Sequence, residues 1–244
     1  MATTSAKIAE ADTQDAGAAD DLAPSAPERF TVPALFHGAC LLDEGPAGAP
    51  LLFACHGYGE DGQAMMDALR KLPSADRLTL AAVEAPHPFY TKSGRVVRSW
   101  MTRIDRELAI EDNIRYITSV VAEVRRRVDT GPLVFVGFSQ GVAMAWRAAV
   151  RSGFPCAGLI ALAGDVPPDV AALAPPHVPP VLLGRGTRDE WYNEKKMRAD
   201  LEVLDRLGAD VETCVFEGGH EWTGDFFGAM ESFLEVHAPS DRRR

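Results

Sequence analysis

The sequence lacks the features that mark membrane, nucleic-acid-binding and metal-binding proteins. No apolar run reaches the roughly 20 residues that a membrane-spanning helix needs. Positive charge is not in excess, because 25 Lys and Arg face 35 Asp and Glu, for a formal net charge of −10. We therefore expect neither nucleic acid nor an anionic membrane surface as a partner. The four cysteines do not show the spacing of a metal site, which predicts free thiols and no bound metal.

The N-terminal residues are not expected to form a targeting signal. It has no basic stretch followed by an apolar stretch, as a secretory signal would, and it is too acidic for a transit peptide. A cytoplasmic location is the expectation that remains. Residues 1–29 are rich in Ala and Asp and poor in large apolar side chains, which predicts a disordered acidic tail. One domain is expected over 30–238, with a short tail at 239–244.

Apolar runs and helical spacings alternate along the rest of the chain. This order is typical of an α/β protein with a mostly parallel twisted sheet flanked by helices. The predicted strands are 36–42, 51–55, 78–83, 133–138, 157–163, 181–183 and 210–216. The predicted helices are 65–72, 111–128, 142–150, 193–207 and 225–236, and the predicted long loops are 84–100 and 165–180.

Residues 133–141 carry the strongest functional signal. A buried apolar strand leads into Gly137-Phe138-Ser139-Gln140-Gly141, and an Ala-rich helical pattern follows at once. In a nucleophile elbow, a strand turns sharply into a helix and presents one serine at the bend. Free N–H groups at the start of that helix then face the place where negative charge develops during acyl transfer. The alternative is a glycine-flanked turn in which Ser139 only caps the helix.

A serine hydroxyl needs a base to act as a nucleophile, and a histidine and an acid occur at suitable positions. In this architecture the acid and then the histidine follow the serine, in loops at strand ends. Asp189 and His220 each follow a predicted strand in that order. His220 is the predicted base and Asp189 is its predicted partner. Asp165 also follows a strand and is the competing acid, unless it serves the turn at Pro167-Pro168.

The oxyanion hole of such a site needs two backbone N–H donors. One comes from the residue after the nucleophile, which is Gln140. The other should come from the glycine-rich loop 56–62, where Tyr58 is the predicted donor. His56 opens this loop and could be a second base, although a hydrogen-bonded structural histidine is the favoured interpretation.

These motifs together resemble those of the small carboxylesterase, phospholipase and acyl-protein thioesterase family of α/β-hydrolases. The resemblance spans about residues 36–236 and rests on the ordered motifs His56-Gly57-Tyr58-Gly59-Glu60-Asp61-Gly62, Arg98-Ser99-Trp100, Gly137-Phe138-Ser139-Gln140-Gly141, Gly186-Thr187-Arg188-Asp189 and Gly218-Gly219-His220. It implies an α/β-hydrolase fold in which Ser139, Asp189 and His220 form the triad. It also implies that Tyr58 and Gln140 supply the oxyanion hole, and that carboxylic esters or thioesters are hydrolysed without a cofactor.

The chain departs from the pattern of this family beside the expected acyl pocket. Tyr58 stands where the family often has leucine, and Val142 stands where it often has glycine. The segments 101–105 and 190–192 also differ from the family's usual residues. The triad does not depend on these positions, but the choice of substrate does.

The sequence also bears on access to the site. No long insertion lies between Gly164 and Val181, where larger hydrolases carry a cap, so we expect no large cap domain. Trp100, Trp191 and Trp222 all fall in predicted loops or at the ends of predicted elements. They are candidates for an aromatic-walled substrate pocket, with ordinary packing as the alternative.

The leading hypothesis is a serine hydrolase that cleaves carboxylic esters or thioesters through an acyl-enzyme, in the manner of a carboxylesterase, lysophospholipase or thioesterase. The expected partner is a small-molecule ester or thioester substrate. Fold alone does not fix function, so a catalytically silent binding protein on the same fold stays open. A related peptide or lactone hydrolase is a third hypothesis.

Overall fold

The computed structural model describes residues 26–172 and 178–239. Its strands are β1 (Cys40–Asp43), β2 (Ala49–Cys55), β3 (Thr79–Val83), β4 (His87–Tyr90), β5 (Val96–Ser99), β6 (Thr130–Phe138), β7 (Gly158–Leu162), β8 (Val181–Gly186) and β9 (Val211–Phe216). Its helices are α1 (Gly62–Leu69), α2 (Arg106–Arg127), α3 (Gln140–Arg151), α4 (Pro168–Ala171), α5 (Glu194–Arg206) and α6 (Gly224–His237), with a 3₁₀ turn at Ala75–Arg77.

A seven-stranded sheet, in the order β1-β3-β2-β6-β7-β8-β9, forms the centre of the fold. β1 is antiparallel to β3, and every other neighbouring pair in this sheet is parallel. Parallel strands that are covered on both faces are apolar throughout, and β2, β3 and β7 are buried at every residue. The predicted fold, a mostly parallel sheet flanked by helices, is confirmed.

The direction of the parallel strands determines where a site can form. β2, β6, β8 and β9 run the same way, so their carboxyl ends lie along one edge of the sheet. Ligands of open α/β sheets bind outside this edge. The loops that follow these four strands contain residues 56–62, Ser139, Asp189 and His220. The topology therefore brings all the predicted catalytic positions to one side of the sheet.

Polar side chains fix where two of the flanking helices begin. Asp61 accepts the Ala64 N–H at 2.8 Å before α1, and Asn193 accepts the Lys196 N–H at 3.2 Å before α5. Such caps satisfy N–H groups that the first turn of a helix leaves without partners. Helices α2 and α3 pack on each other, while α6 packs on β8 and β9, so helices cover the apolar strands.

The structure corrects the sequence prediction in three connecting segments. Residues 84–100 are not one long loop, because β4 and β5 pair as an antiparallel hairpin within them. Most β4 side chains are exposed, so the strand lacks the apolar alternation by which a sequence reveals a strand. Residues 165–180 contain the short helix α4, and α2 begins at Arg106 rather than at 111.

Residues 26–35 belong to a separate unit, are exposed and have no regular secondary structure. Most of the tails predicted at 1–29 and 239–244 lies outside the described residues, so these boundaries stay predictions. Between β7 and β8 the described residues form only loops and α4, without a large cap. Nowhere in the described chain is a helix long and apolar enough to cross a membrane.

Candidate active site

Ser139 occupies the sharp turn between β6 and α3. Its backbone has φ 52° and ψ −118°, a conformation that costs energy for any residue with a side chain. The Ser139 N–H donates to the Leu162 carbonyl at 2.9 Å, and the Ser139 carbonyl accepts the Val142 N–H at 3.0 Å. Within the described chain, the Ser139 hydroxyl does not cap α3. The geometry is that of a nucleophile elbow and not of an ordinary helix cap.

The elbow also requires α3 to begin very close to the end of β2. A Cβ on Gly141 would lie 2.0 Å from the Cys55 carbonyl oxygen and 2.6 Å from that of His56. Any side chain at Gly141 would therefore push α3 away from the sheet. Glycine at this position lets the first turn of α3 approach the loop after β2 closely. Two oxyanion-hole donors on these two segments require such an approach.

His220 and Asp189 meet at the carboxyl edge of the sheet. His220 Nδ1 lies 2.8 Å from Asp189 Oδ2, and Asp189 is buried. The other carboxylate oxygen, Oδ1, accepts the N–H groups of Trp191 at 2.8 Å and Tyr192 at 2.9 Å. An ionised carboxylate only accepts hydrogen bonds, so Nδ1 of the neutral ring carries the proton and Nε2 is the basic nitrogen. The His220 ring lies 5.0 Å from that of Phe138, beside the elbow.

Glycine backbones bring the loops after β8 and β9 close enough for this pair to form. A Cβ on Gly186 would lie 2.3 Å from the Gly219 carbonyl oxygen and 2.4 Å from that of Gly218. The Arg188 N–H donates to Gly218 O at 2.8 Å across the same contact. The close packing therefore depends on Gly186, while neither Gly218 nor Gly219 has the positive φ of a left-handed turn.

The structure separates the two candidate acids. Asp165 Oδ2 is bonded to Lys196 Nζ at 3.0 Å, and both side chains are about half exposed. Asp189 is the acid that contacts His220. Asp165 lines the cavity in front of Ser139 instead.

The two predicted oxyanion-hole residues have the required free backbone donors. In residues 26–172 and 178–239, the N–H groups of Tyr58 and Gln140 have no hydrogen-bond acceptor. The loop that contains Tyr58 is fixed on both sides, because the Gly57 N–H donates to Glu60 Oε2 at 2.8 Å and the Gly59 N–H donates to Arg98 O at 2.9 Å. Burial raises the pKa of Glu60. The Tyr58 side chain is exposed and stacks on Phe89.

The Gln140 side chain has a role that the sequence did not reveal. Its Oε1 accepts the Trp100 N–H at 3.0 Å, and its Nε2 donates to the Met101 carbonyl at 3.0 Å. It thereby ties the segment after β5 to the elbow. The link joins positions 40 residues apart, and no local pattern in the sequence indicates it.

His56 is a structural residue. Its ring is fully buried, with Nδ1 2.7 Å from Gly57 O and Nε2 accepting the Ala85 N–H at 3.1 Å. Nδ1 therefore carries the proton of a neutral imidazole. Burial lowers the pKa of His56, which also favours the neutral ring. Both nitrogens are occupied, so His56 has no nitrogen available to act as a second base.

A cavity of about 650 Å³ lies in front of Ser139 and His220. Of the three predicted pocket tryptophans, Trp191 lines it and is largely exposed. Trp100 does not line it: the side chain is fully buried, and its indole N–H donates to His56 O at 2.8 Å. Trp222 also lies outside the lining, stacked on Phe227 with ring centroids 5.7 Å apart. Trp100 packs in the interior and Trp222 packs partly buried against the core, so ordinary packing accounts for both rings.

Comparison of the sequence with known families identifies the chain's relatives. The family described as phospholipase/carboxylesterase matches residues 43–238. The chain belongs to the phospholipase/carboxylesterase family. The match includes the elbow, the loop with Tyr58 and the His220–Asp189 pair. A search of curated protein sequences returned no significant match.

Solved structures with this fold are numerous, and several are esterases or thioesterases. The crystal structure of esterase PE8 is 26% identical, with a TM-score of 0.63, over 82% of this chain and 98% of that one. The Bacillus cereus carboxylesterase is 17% identical, with a TM-score of 0.65, over 81% and 94%. Zea mays acyl-protein thioesterase 2 is 18% identical, with a TM-score of 0.59, over 81% and 100%. The last two likenesses show the fold alone.

In this phospholipase/carboxylesterase family member, basic residues line the cavity, and sequence reasoning did not single them out. They are Arg106, Arg147 and Lys196. One of them could have been noticed in the sequence, because Arg147 falls on the otherwise apolar face of α3. The four cysteines are free, and the described residues contain no group of three or more His, Cys, Asp or Glu that could hold a metal ion.

Proposed function

We propose that this protein is a serine hydrolase that cleaves carboxylic esters or thioesters through an acyl-enzyme, with Ser139 as nucleophile. The observation that carries the proposal is the 2.8 Å contact between His220 Nδ1 and buried Asp189, in a cavity that Ser139 and His220 both line. Membership in the phospholipase/carboxylesterase family and the likeness to esterase PE8 support it.

In the first half-reaction, Ser139 Oγ attacks the substrate carbonyl carbon while His220 Nε2 takes the hydroxyl proton. The carbonyl oxygen becomes an oxyanion, which the N–H groups of Tyr58 and Gln140 stabilise. When the tetrahedral intermediate collapses, the bond to the leaving oxygen or sulfur breaks. His220 then gives its proton to the leaving group, and the acyl group stays on Ser139.

In the second half-reaction, water replaces the departed group. His220 takes a proton from the water as its oxygen attacks the acyl carbon, and Ser139 leaves with that proton. Asp189 accepts from Nδ1 throughout, so it holds the useful tautomer and stabilises the imidazolium that forms twice per cycle. The free acid is released and Ser139 is regenerated.

The test is hydrolysis of 4-nitrophenyl esters of increasing acyl length by the parent chain and by Ser139→Ala. We expect parent activity with an optimum length, and a loss of at least about a thousandfold in Ser139→Ala. Ser152→Ala, at the opposite end of α3, is the matched control and should retain parent activity. Both substitutions remove one hydroxyl at an end of α3, but Ser152 does not line the cavity.

A fluorophosphonate probe gives a second readout, because labelling requires an activated serine. Labelling of the parent chain that is lost only in Ser139→Ala supports the proposal. Hydrolysis that persists in Ser139→Ala refutes it. If the parent chain shows neither hydrolysis nor labelling, the silent binding protein becomes the better hypothesis.

A further inference from the structure

Cationic side chains outnumber carboxylates in the lining of the cavity in front of Ser139, although the chain as a whole is acidic. The formal net charge is −10, yet three cationic side chains line the cavity, namely Arg106, Arg147 and Lys196. The carboxylate in that lining is Asp165. A cleft lined mainly by one sign of charge attracts ligands of the opposite sign.

Two of the cations have close carboxylate partners. Lys196 Nζ lies 3.0 Å from Asp165 Oδ2. Arg147 is fully buried and binds Asp169 through two hydrogen bonds, from Nη2 at 2.6 Å and from Nε at 2.9 Å. The Arg147 guanidinium lowers the pKa of Asp169, so this pair stays ionised. Within each pair the two charges compensate each other.

Arg106 is compensated much less. Its Nη1 lies 3.3 Å from Glu107 Oε1, and the Glu107 side chain is 84% exposed. A pair this open to solvent contributes little and is readily exchanged for another partner. The charge of Arg106 also lowers the pKa of Asp169, so its guanidinium lies close to the Arg147–Asp169 pair. Arg106 is therefore the cation in the cavity that is available for a ligand.

The spacing along α3 places Arg147 away from the reacting carbonyl. Gln140, Ala143, Met144 and Arg147 share the helix face that lines the cavity. With a rise of 1.5 Å per residue, Arg147 lies roughly 10 Å beyond Gln140 along the axis. Between them the wall is apolar. The cavity thus offers a nucleophile at one end, an apolar wall, and a basic region about two helical turns away.

We propose that the cavity selects esters or thioesters whose acyl part carries a second, negatively charged group, which Arg106 binds. The inference rests on the proposed serine hydrolase activity and adds the substrate class to it. A half-ester of a dicarboxylic acid has the right chemistry, with a carbonyl for Ser139, a methylene chain for the apolar wall and a carboxylate for Arg106. An ionised carboxylate and an arginine form short, strong hydrogen bonds.

The test compares substrates that differ only in the terminal charge. The half-ester 4-nitrophenyl suberate and its terminal methyl ester share the leaving group and the acyl backbone. We expect kcat/KM to favour the charged substrate by about tenfold or more, the usual worth of one charge-assisted hydrogen bond. Arg106→Gln should bring the ratio close to one. Adipate and sebacate half-esters then measure the length that best reaches Arg106.

Arg103→Gln is the matched control. Arg103 is exposed, lies three residues before Arg106 and does not line the cavity, and its substitution removes the same formal charge. The charged-to-neutral ratio should stay at the parent value in Arg103→Gln. Equal ratios in the parent chain, Arg103→Gln and Arg106→Gln would overturn the proposal, as would an equal fall in both variants.

The outcomes separate this proposal from the catalytic one. Hydrolysis that depends on Ser139 but shows no preference for the charged substrate refutes the anion site and still supports the serine hydrolase activity. If no ester is hydrolysed, calorimetric titration of Ser139→Ala with both suberate esters still tests the site. Tighter binding of the half-ester than of the methyl ester supports the site if adding Arg106→Gln abolishes the difference. Equal binding of the two esters refutes it. A charge preference confined to the leaving group, tested with butyrate esters of 4-hydroxybenzoate and its methyl ester, overturns the assignment to the acyl part.

Discussion

At the scale of single residues, the two oxygens of Asp189 have separate tasks. Oδ1 accepts two backbone N–H groups of its own loop, from Trp191 and Tyr192, and so fixes the carboxylate in place. Oδ2 faces His220 Nδ1 and so fixes the tautomer. A carboxylate held in this way orients the ring without itself taking the proton.

We expect Asp189→Asn to lower kcat by about a thousandfold or more while changing stability little. The amide oxygen can still accept from the Trp191 and Tyr192 N–H groups. The amide NH₂ then faces His220 Nδ1, which must become an acceptor, so the proton moves to Nε2 and the base is lost. Steady-state kinetics and thermal unfolding of the variant measure the two effects.

Asp165→Asn is the control for this prediction. It makes the same chemical change in the other acid that the sequence offered as a partner for His220. Asp165 contacts Lys196 near the solvent and does not contact His220. Its substitution should cost less than tenfold in kcat. A larger loss in Asp165→Asn than in Asp189→Asn would contradict the assignment of the acid.

The candidate triad could be proposed from the sequence because its motifs are local. Ser139 and its flanking glycines form one turn, and Asp189 and His220 each follow a recognisable strand. Arg106 was not predictable in this way. The proposed role of Arg106 depends on its position beside α3 and α4, and only the folded structure brings these helices next to it.

At the scale of elements, the close approach of α3 to β2 is the feature on which the elbow depends. We expect Gly141→Ala to destabilise the fold by about 1–3 kcal/mol, since its methyl group would overlap the Cys55 carbonyl. The helix must shift to relieve the overlap and would carry the Gln140 N–H with it. Activity should therefore fall by at least about tenfold, from a disturbed oxyanion hole. Chemical denaturation and ester kinetics measure the two losses.

Gly228→Ala is the matched control on another helix. A Cβ at Gly228, within α6, meets no atom within 4 Å. Alanine there should stabilise the helix by about 0.5–1 kcal/mol, because glycine loses more backbone freedom on folding. Its activity should match the parent. Equal stability of Gly141→Ala and the parent chain would show that the close approach is not rigid.

The sequence predicted the buried elements better than the exposed ones. β2, β7 and residues 133–138 of β6 are continuous buried runs. Strands that are buried on both faces are apolar throughout, and this pattern is visible in the sequence. The β4–β5 hairpin leaves no such mark, because it lies outside the main sheet and exposes most of β4. The hairpin also forms an isolated β-bridge to the loop after β2, between Arg98 and Glu60. No periodic pattern in the sequence indicates that these two segments pair.

At the scale of the whole molecule, two carboxylates whose pKa values shift in opposite directions shape how stability depends on pH. The Arg147 guanidinium lowers the pKa of Asp169, so the stability that this pair contributes is present at neutral pH and is lost when the pH falls through the pKa of the folded state. Asp200, in α5, behaves in the opposite way. Burial raises its pKa from 3.8 to about 6.

Asp200 links α5 to two of the loops at the site. Its Oδ2 accepts the Val166 N–H at 3.0 Å and the Tyr192 hydroxyl at 2.9 Å. Between about pH 4 and pH 6, folded Asp200 holds a proton that the unfolded chain has released. The free energy of unfolding should therefore fall as pH rises through this window and level off above it, with a total change of about 2–3 kcal/mol.

We expect Asp200→Asn to remove this dependence, because the amide is neutral at every pH and its oxygen can accept both hydrogen bonds. The measurement is the free energy of unfolding in urea at a series of pH values from 4 to 8. Asp205→Asn, on the exposed side of the same helix, is the control and should keep the parent slope. If the parent chain and Asp200→Asn have the same slope between pH 4 and 6, burial of Asp200 does not penalise its charge, and the link between α5 and the site loops makes no pH-dependent contribution to the stability of the domain.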